Sequence, residues 1–146
     1  MEPEDEYAPS PVQWVSDHVA LYEGSGGKQG STVRPNQLPV VLLSMRGART
    51  GKVRKVPLIR VERDGVYAAV ASQGGADKNP AWFHNLLADP HVELRDAEQV
   101  FPMTARLVEG RERELWWARA VAVFPSYARY RSRTRRVIPV LVLEPA

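Results

Sequence analysis

Cysteine is absent from the 146 residues. That excludes a disulfide framework, a thiol nucleophile and a thiolate metal site, and it fits a reducing cytoplasm. No apolar run approaches the roughly 20 residues that span a bilayer. The first ten residues, MEPEDEYAPS, are acidic and proline-containing, opposite in character to a secretory signal. Histidine occurs only at His18, His84 and His91, without metal-ligand spacing or a nearby carboxylate constellation. There is no GxGxxG or GxxxxGK[ST] loop and no GxSxG elbow. Ser72 has no evident partner base, and Asp77 and Asp89 sit beside turn residues. No self-sufficient catalytic apparatus is therefore present, and an enzyme built on this chain would take its reactivity from a bound cofactor.

Positive charge is what the chain does have, and it is clustered. The net charge is +3, yet four acids fall within the first six residues. From Arg46 to Lys55 there are five cationic residues and no acid, with Gly47 and Gly51 where the backbone must turn. Arg129, Arg131, Arg133, Arg135 and Arg136 form a second basic cluster. The 46–55 run reads either as a solvated hairpin tip or as a cradle for an anionic ligand, since Arg and Lys donors on a glycine-containing turn suit phosphate or carboxylate oxygens. Nucleic acid is the obvious polyanion to test. No helix-turn-helix, zinc-finger or aromatic RNA-binding signature accompanies the charge, so a small polyanionic ligand is preferred and nucleic acid is not expected as a partner.

By length the chain is one domain with room for a real core. Residues 1–10 read as a disordered or loosely docked tail. Residues 11–24 space Val12, Val15, Val19 and Tyr22 as a helix, ended by Gly24. This helix packs on the body or, alternatively, makes a peripheral membrane contact, although it lacks a cationic rim. Residues 24–38 read as a flexible loop that could order over a ligand. Strands are expected at about 39–46, 54–63, 66–72, 91–96, 99–108 and 137–144, the second and third joined by the hairpin dipeptide Asp64-Gly65. Asn79 is placed to cap a short helix opening at Pro80, whose pairs Trp82/Leu86 and Phe83/Leu87 would face inward. Residues 109–124 form the clearest helix, with Trp116, Trp117 and Phe124 as core, and Pro125 separates it from a second piece carrying Tyr127 and Tyr130. The expected fold class is α+β, a six-stranded antiparallel sheet closing into a small barrel with capping helices. The division is residues 1–37 as tail, amphipathic helix and Gly-rich loop, and residues 38–146 as the barrel.

Three stretches carry a family resemblance: GARTGKVRKVPL, then VASQGGADKNPAWFHNLLADPHVEL after the Asp-Gly hairpin, then FPSYARYRSRTRRVIPVLVLEP. Together, and in this order across roughly residues 38–146, they resemble the deazaflavin-dependent nitroreductases of actinobacteria. The resemblance implies a split β-barrel of the FMN-binding, pyridoxamine-phosphate-oxidase-like kind. It implies coenzyme F420, an 8-hydroxy-5-deazaflavin with a phosphate and a polyglutamate tail, whose reduced form gives a hydride from C5 to a quinone, a nitro compound or a conjugated enone. It further implies that Ala48, Arg49, Thr50, Gly51, Lys52 and Arg54 hold the phosphate and glutamyl carboxylates, with Lys55 beside them and Lys78 meeting the same tail. Pro57 and Leu58 would pack near the cofactor, Ala71, Ser72 and Gln73 would lie along its rings, and Pro80, Ala81 and Trp82 would form a wall. Tyr127, Tyr130 and Ser72 would line the substrate side as the catalytic set, with Tyr127 also touching the cofactor. No metal is implied.

Three positions depart from the family pattern. Gln73 stands where a Lys commonly follows the Ser of the third strand, and Ile59 and Phe124 stand where nitro-drug activators carry tyrosines. An apolar, flatter acceptor is expected in consequence. Two alternatives remain at this stage: an FMN-binding oxidoreductase of the same fold, and a non-catalytic module that binds an anionic ligand through its basic patches. The sequence leaves the oligomeric state open.

Overall fold

The computed structural model describes Met1, residues 5–34 and residues 36–146. Glu2, Pro3 and Glu4 of the expected tail, and Pro35 of the expected loop, lie outside the described residues. The chain runs α1 (Gln13–Gly24), β1 (Thr32–Val33), β2 (Leu38–Arg46), β3 (Val53–Ile59), β4 (Glu62–Arg63), β5 (Val66–Val70) and a 3-10 turn (Gln73–Gly75). There follow α2 (Ala81–Ala88), β6 (His91–Asp96), β7 (Gln99–Val108), α3 (Gly110–Val123), α4 (Ser126–Arg133) and β8 (Val140–Pro145).

All strand pairings within the sheet are antiparallel. β6 joins β2 to β7, β7 joins β8, and β8 joins β5, while β3 pairs with the other side of β2. The six long strands match the six expected, and the sheet curls into a split barrel. Alternation builds two surfaces from each strand. Val41, Leu43 and Met45 of β2, Tyr67 and Ala69 of β5, and Leu141 and Leu143 of β8 fill one cluster inside the barrel. Ala68, Val70, Val140 and Val142 face outward and are covered by Trp116, Trp117 and Ala120 of α3. Val40 and Leu42 face outward on the other flank under Val19 and Tyr22 of α1. Phe83 and Leu86 of α2 join the inner cluster and so close one end of the barrel.

Several expectations change. Strand 54–63 breaks after Ile59: the Arg60 N–H still bonds Pro39 O at 2.8 Å, directly opposite in the β2 register, but Pro39 has no N–H to return the bond and the ladder ends there. Leu87 is 55% exposed, since so short a helix buries only the 83/86 pair. The 24–38 loop is not loose: Thr32 and Val33 pair with Pro39 and Leu38, and Gly27 lies so close to Ala97 O that a Cβ would sit 1.7 Å from it. The described part of the tail is docked as well. Tyr7 bridges to Val53, with Val53 N–H to Glu6 O at 2.8 Å and Ala8 N–H to Val53 O at 2.9 Å. The tail covers backbone groups on the outer edge of β3, and an uncovered edge strand is a liability. Among the described residues no helix is long and apolar enough to cross a membrane.

Candidate active site

In an antiparallel sheet alternate strand ends share a side, so the end of β2, the start of β3, the end of β5 and the start of β8 lie at one end of the barrel. This is the end that α2 closes. The cationic loop Arg46–Lys55 and the 71–79 loop both emerge there.

The first loop is a tight turn. Gly47 N–H bonds Lys52 O at 2.8 Å and Gly51 N–H bonds Gly47 O at 2.9 Å. Gly51 has φ +72°, a conformation that favours glycine. Thr50 Oγ1 accepts from Lys52 N–H, and Ala48 N–H donates to Asn85 Oδ1 of α2 at 2.9 Å, which ties the loop to the helix. The cations divide into two groups. Arg46 pairs with Asp5 at 2.7 Å, Lys52 with Glu6 at 3.3 Å, and Lys55 with Glu23 at 2.6 Å while lying over the Tyr7 ring at 5.0 Å. Arg49 and Arg54 have no ion pair among the described residues, Arg49 being exposed and Arg54 half-buried. Along β3, Val56 and Leu58 stay half-buried on the same face as Arg54, giving an apolar strip beside that cation, while the half-buried Pro57 faces the other side of the strand.

The second loop opens after β5. Ala71 and Ser72 are buried, Gln73 and Lys78 exposed. Gln73, Gly74 and Gly75 all have positive φ, at +44°, +63° and +82°. A Cβ on Gly75 would sit 3.1 Å from Tyr130 O and 3.2 Å from Tyr130 Cα, so this loop meets α4 in direct backbone contact. Pro80 is buried, Ala81 exposed, and Trp82 half-buried against the inner cluster. Asn79 is not the cap of α2: the residue at the cap position is Pro80, and Asn79 Oδ1 instead accepts from Arg136 Nη1 at 2.7 Å.

Arg136 was not singled out in the sequence beyond its place in a basic cluster. Its guanidinium also donates to Ala76 O from Nε at 2.8 Å, to Ala71 O from Nη1 at 3.1 Å and to Ser72 O from Nη2 at 2.8 Å. Burial depresses its pKa, with Asp77 acting weakly in the opposite sense. The signal that could have found it is its position directly before the apolar strand, within the TxR of the third stretch.

The aromatic patch joins α3, α4 and β3. Tyr127 is 5% exposed, with ring centroids 5.0 Å from Phe124, 6.2 Å from Trp117 and 6.3 Å from Tyr130. Ile59 and Phe124, the two departures, pack in this same cluster. Burial raises the Tyr127 pKa, and Tyr130 adds to the effect. The phenol is therefore a hydrogen-bond donor at neutral pH and not a base, and its hydroxyl has no hydrogen bond to another described residue.

A cavity of about 490 Å³ opens at the opposite end of the barrel, lined among others by Arg60, Tyr67, Asp96, Phe101 and Met103. It holds none of the expected site residues. Asp96 there accepts from Tyr67 Oη at 2.6 Å and Arg60 Nε at 2.8 Å, a satisfied network that reads as structural. Among the described residues no group of His, Asp and Glu could hold a metal ion.

Residues 14–145 match the family described as F420H(2)-dependent quinone reductase. The chain belongs to that family. It is 36% identical over 135 residues to an F420H(2)-dependent quinone reductase of Mycobacterium tuberculosis, covering 90% of each chain. Among solved structures it is similar to an F420-H2 dependent reductase, FDR-A, at 50% identity and a TM-score of 0.70, covering 73% of this chain and 94% of that one. A Clostridium acetobutylicum protein of the pyridoxinephosphate oxidase family, at 14% identity and a TM-score of 0.50, covers 88% of this chain and 85% of that chain and bears on the fold alone. The protein is thus an F420H2-dependent oxidoreductase with the split-barrel fold, coenzyme F420 is its cofactor, and quinones are its acceptor class.

Proposed function

We propose that F420 lies in the groove between the cationic loop, β3, the 71–79 loop and α4. The observation that carries this is the division of the cations. Arg46, Lys52 and Lys55 are engaged with Asp5, Glu6 and Glu23, while Arg49 and Arg54 have no ion pair among the described residues and adjoin an apolar half-buried strand. An anionic tail continuing from a flat apolar ring needs that combination of charge and strip. Arg49, Arg54, the Thr50 hydroxyl and backbone near Ala48 and Gly51 would take the phosphate and carboxylates, with Lys52 and Lys78 at the margin. Pro57, Leu58, Ala71, Ser72, Gln73, Pro80, Ala81 and Trp82 would surround the ring. In this reading residues 1–37 form an arm laid on a 38–146 barrel.

Bound there, reduced F420 supplies a hydride from C5. The chain's own residues position the acceptor, exclude water and hold the proton that the reduced acceptor needs. Tyr127 and Tyr130 form the acceptor face with Ser72, and the burial that keeps Tyr127 protonated suits it to donate to an acceptor oxygen. Ile59 and Phe124 make this face apolar, and Gln73 adds no cation to it. Quinones therefore fit better than nitroimidazoles. Trp14 and Leu21, 67% and 48% exposed on α1, support a peripheral contact with a quinone-bearing membrane.

Replacing both Arg49 and Arg54 by Ala removes two charge-assisted contacts. At a partly exposed site these contribute about 1 kcal/mol each, so F420 affinity falls about thirtyfold. Quenching of cofactor fluorescence measures this. Thermal stability stays nearly constant, because neither residue has an ion pair among the described residues. Unchanged affinity would overturn the cradle assignment. A panel of quinone, nitro and enone acceptors with reduced F420, run beside FMN and NADPH, tests the acceptor preference.

A further inference from the structure

The conformation of the 71–79 loop is set by one side chain from the other end of the sequence. Arg136 donates to both ends of this loop, with four hydrogen bonds of 2.7 to 3.1 Å to Ala71 O, Ser72 O, Ala76 O and Asn79 Oδ1. The planar fork can reach several acceptors with fixed directions, which an ammonium group cannot reproduce. Arg136 is itself anchored close to β8, and the backbone just beyond it is pinned from two sides. Ala71 N–H bonds Pro139 O at 2.9 Å, and Arg113 Nη2 bonds Ile138 O at 2.6 Å.

A trans peptide is planar, so its C=O and N–H point in opposite directions. Holding the carbonyls of Ala71 and Ser72 toward the guanidinium turns the N–H groups of Ser72 and Gln73 away from it. Neither of those N–H groups has a partner among the described residues. Gln73 has φ +44°, a conformation that a non-glycine residue keeps only when its surroundings enforce it. The carbonyl immediately before it is the one that Arg136 Nη2 holds at 2.8 Å.

We propose that Arg136 is the positioning residue of the cofactor site, holding the 71–79 loop so that the Ser72 and Gln73 N–H groups are presented to acceptor atoms of the deazaflavin ring. This rests on the groove reading above. Arg136 acts through the loop and touches neither cofactor nor acceptor. Its charge is enclosed by the loop's own oxygens and is not offered to the anionic tail.

Arg136→Lys and Arg136→Ala test the proposal by three readouts. F420 affinity, from fluorescence quenching, falls about tenfold or more in both variants, because an ammonium keeps the charge and loses the fork. Amide hydrogen exchange of residues 71–79 in the cofactor-free protein accelerates by about tenfold or more, while β5 and β8 exchange as in wild type. Millimolar guanidinium restores part of the affinity of Arg136→Ala and does nothing for wild type. Wild-type affinity in Arg136→Lys would overturn the fork argument. Lost affinity with unchanged loop exchange would overturn positioning. If Arg136→Ala fails to fold, Arg136→Lys carries the same two readouts. A wild-type protein that does not quench F420 overturns the groove itself, a result kept separate because the exchange measurement needs no cofactor.

Discussion

Neutralising the tail acids, Asp5→Asn with Glu6→Gln, should tighten F420 binding. Asp5 and Glu6 lie on Arg46 and Lys52, at the two ends of the loop that carries Arg49. In a water-like medium, two unit charges about 10 Å apart interact by about 0.4 kcal/mol. Two carboxylates acting on two cofactor charges at that range oppose binding by about 1.5 kcal/mol, or roughly tenfold in affinity. The substitutions also release Lys52 to attract the tail. The cost to the free protein is small: the pairs are partly exposed, with side-chain exposures of 36% and 20% for Arg46 and Asp5 and 42% and 71% for Lys52 and Glu6. Such pairs contribute about 0.2 to 1 kcal/mol each. Fluorescence titration at low salt and again near 0.5 M salt isolates the effect, because screening shortens to a few ångströms at the higher concentration. The variant binds about tenfold tighter at low salt, and the difference shrinks at high salt. Equal or weaker binding at low salt would show that the tail of F420 does not approach the docked N-terminal segment.

Gly75→Ala should weaken F420 binding about tenfold by forcing the loop away from α4, since the added methyl would meet Tyr130 backbone at 3.1 to 3.2 Å at φ +82°; a variant with wild-type affinity would show that this contact is not needed. Tyr127→Phe should lower turnover about tenfold and leave F420 affinity nearly unchanged, and the wild-type turnover should show no ionisation of this residue up to pH 10, because burial raises its pKa. Folding stability should fall as pH rises above 10. Tyr7, Tyr22, Tyr67 and Tyr127 all have raised pKa values when folded, so the unfolded chain loses their protons first; chemical denaturation at pH 8, 10 and 11 reads the trend.

The fold was legible where apolar runs of strand length are bounded by turn residues. β6 nearly alternates and β2 is a continuous apolar run, and the bounds of β2, β6 and β7 differ from expectation by one residue or none, while Asp64-Gly65 sits in the turn between β4 and β5. Prediction lost ground where one residue belongs to two patterns. Asn79 has the right type and place to cap α2, but Arg136 offers it a charge-assisted bond from 57 residues away. The Gly-rich 24–38 stretch looks mobile by composition, and only the approach of Ala97 shows that Gly27 is there to let two backbones meet. Contacts of that separation leave no local signature.

The basic clusters illustrate the same limit in electrostatic terms. Counting cations suggested two anion-binding patches, but clustering of one sign in sequence does not measure the field when opposite charge arrives from elsewhere. The first cluster is met by the acidic tail and Glu23, leaving Arg49 and Arg54. In the second, Arg131 pairs with Glu114 and lies over Trp117, Arg133 lies over Tyr130, Arg129 donates to Ser126, and Arg136 is consumed by the 71–79 loop. Four of its five arginines therefore have contacts within α4, its aromatic neighbours or the 71–79 loop, while Arg129, Arg131, Arg133 and Arg135 remain exposed. In the proposed groove the cationic loop would offer the cofactor only the charge that is not already matched. What remains, Arg49 and Arg54, is small, and Arg54 shares a face of β3 with the half-buried Val56 and Leu58.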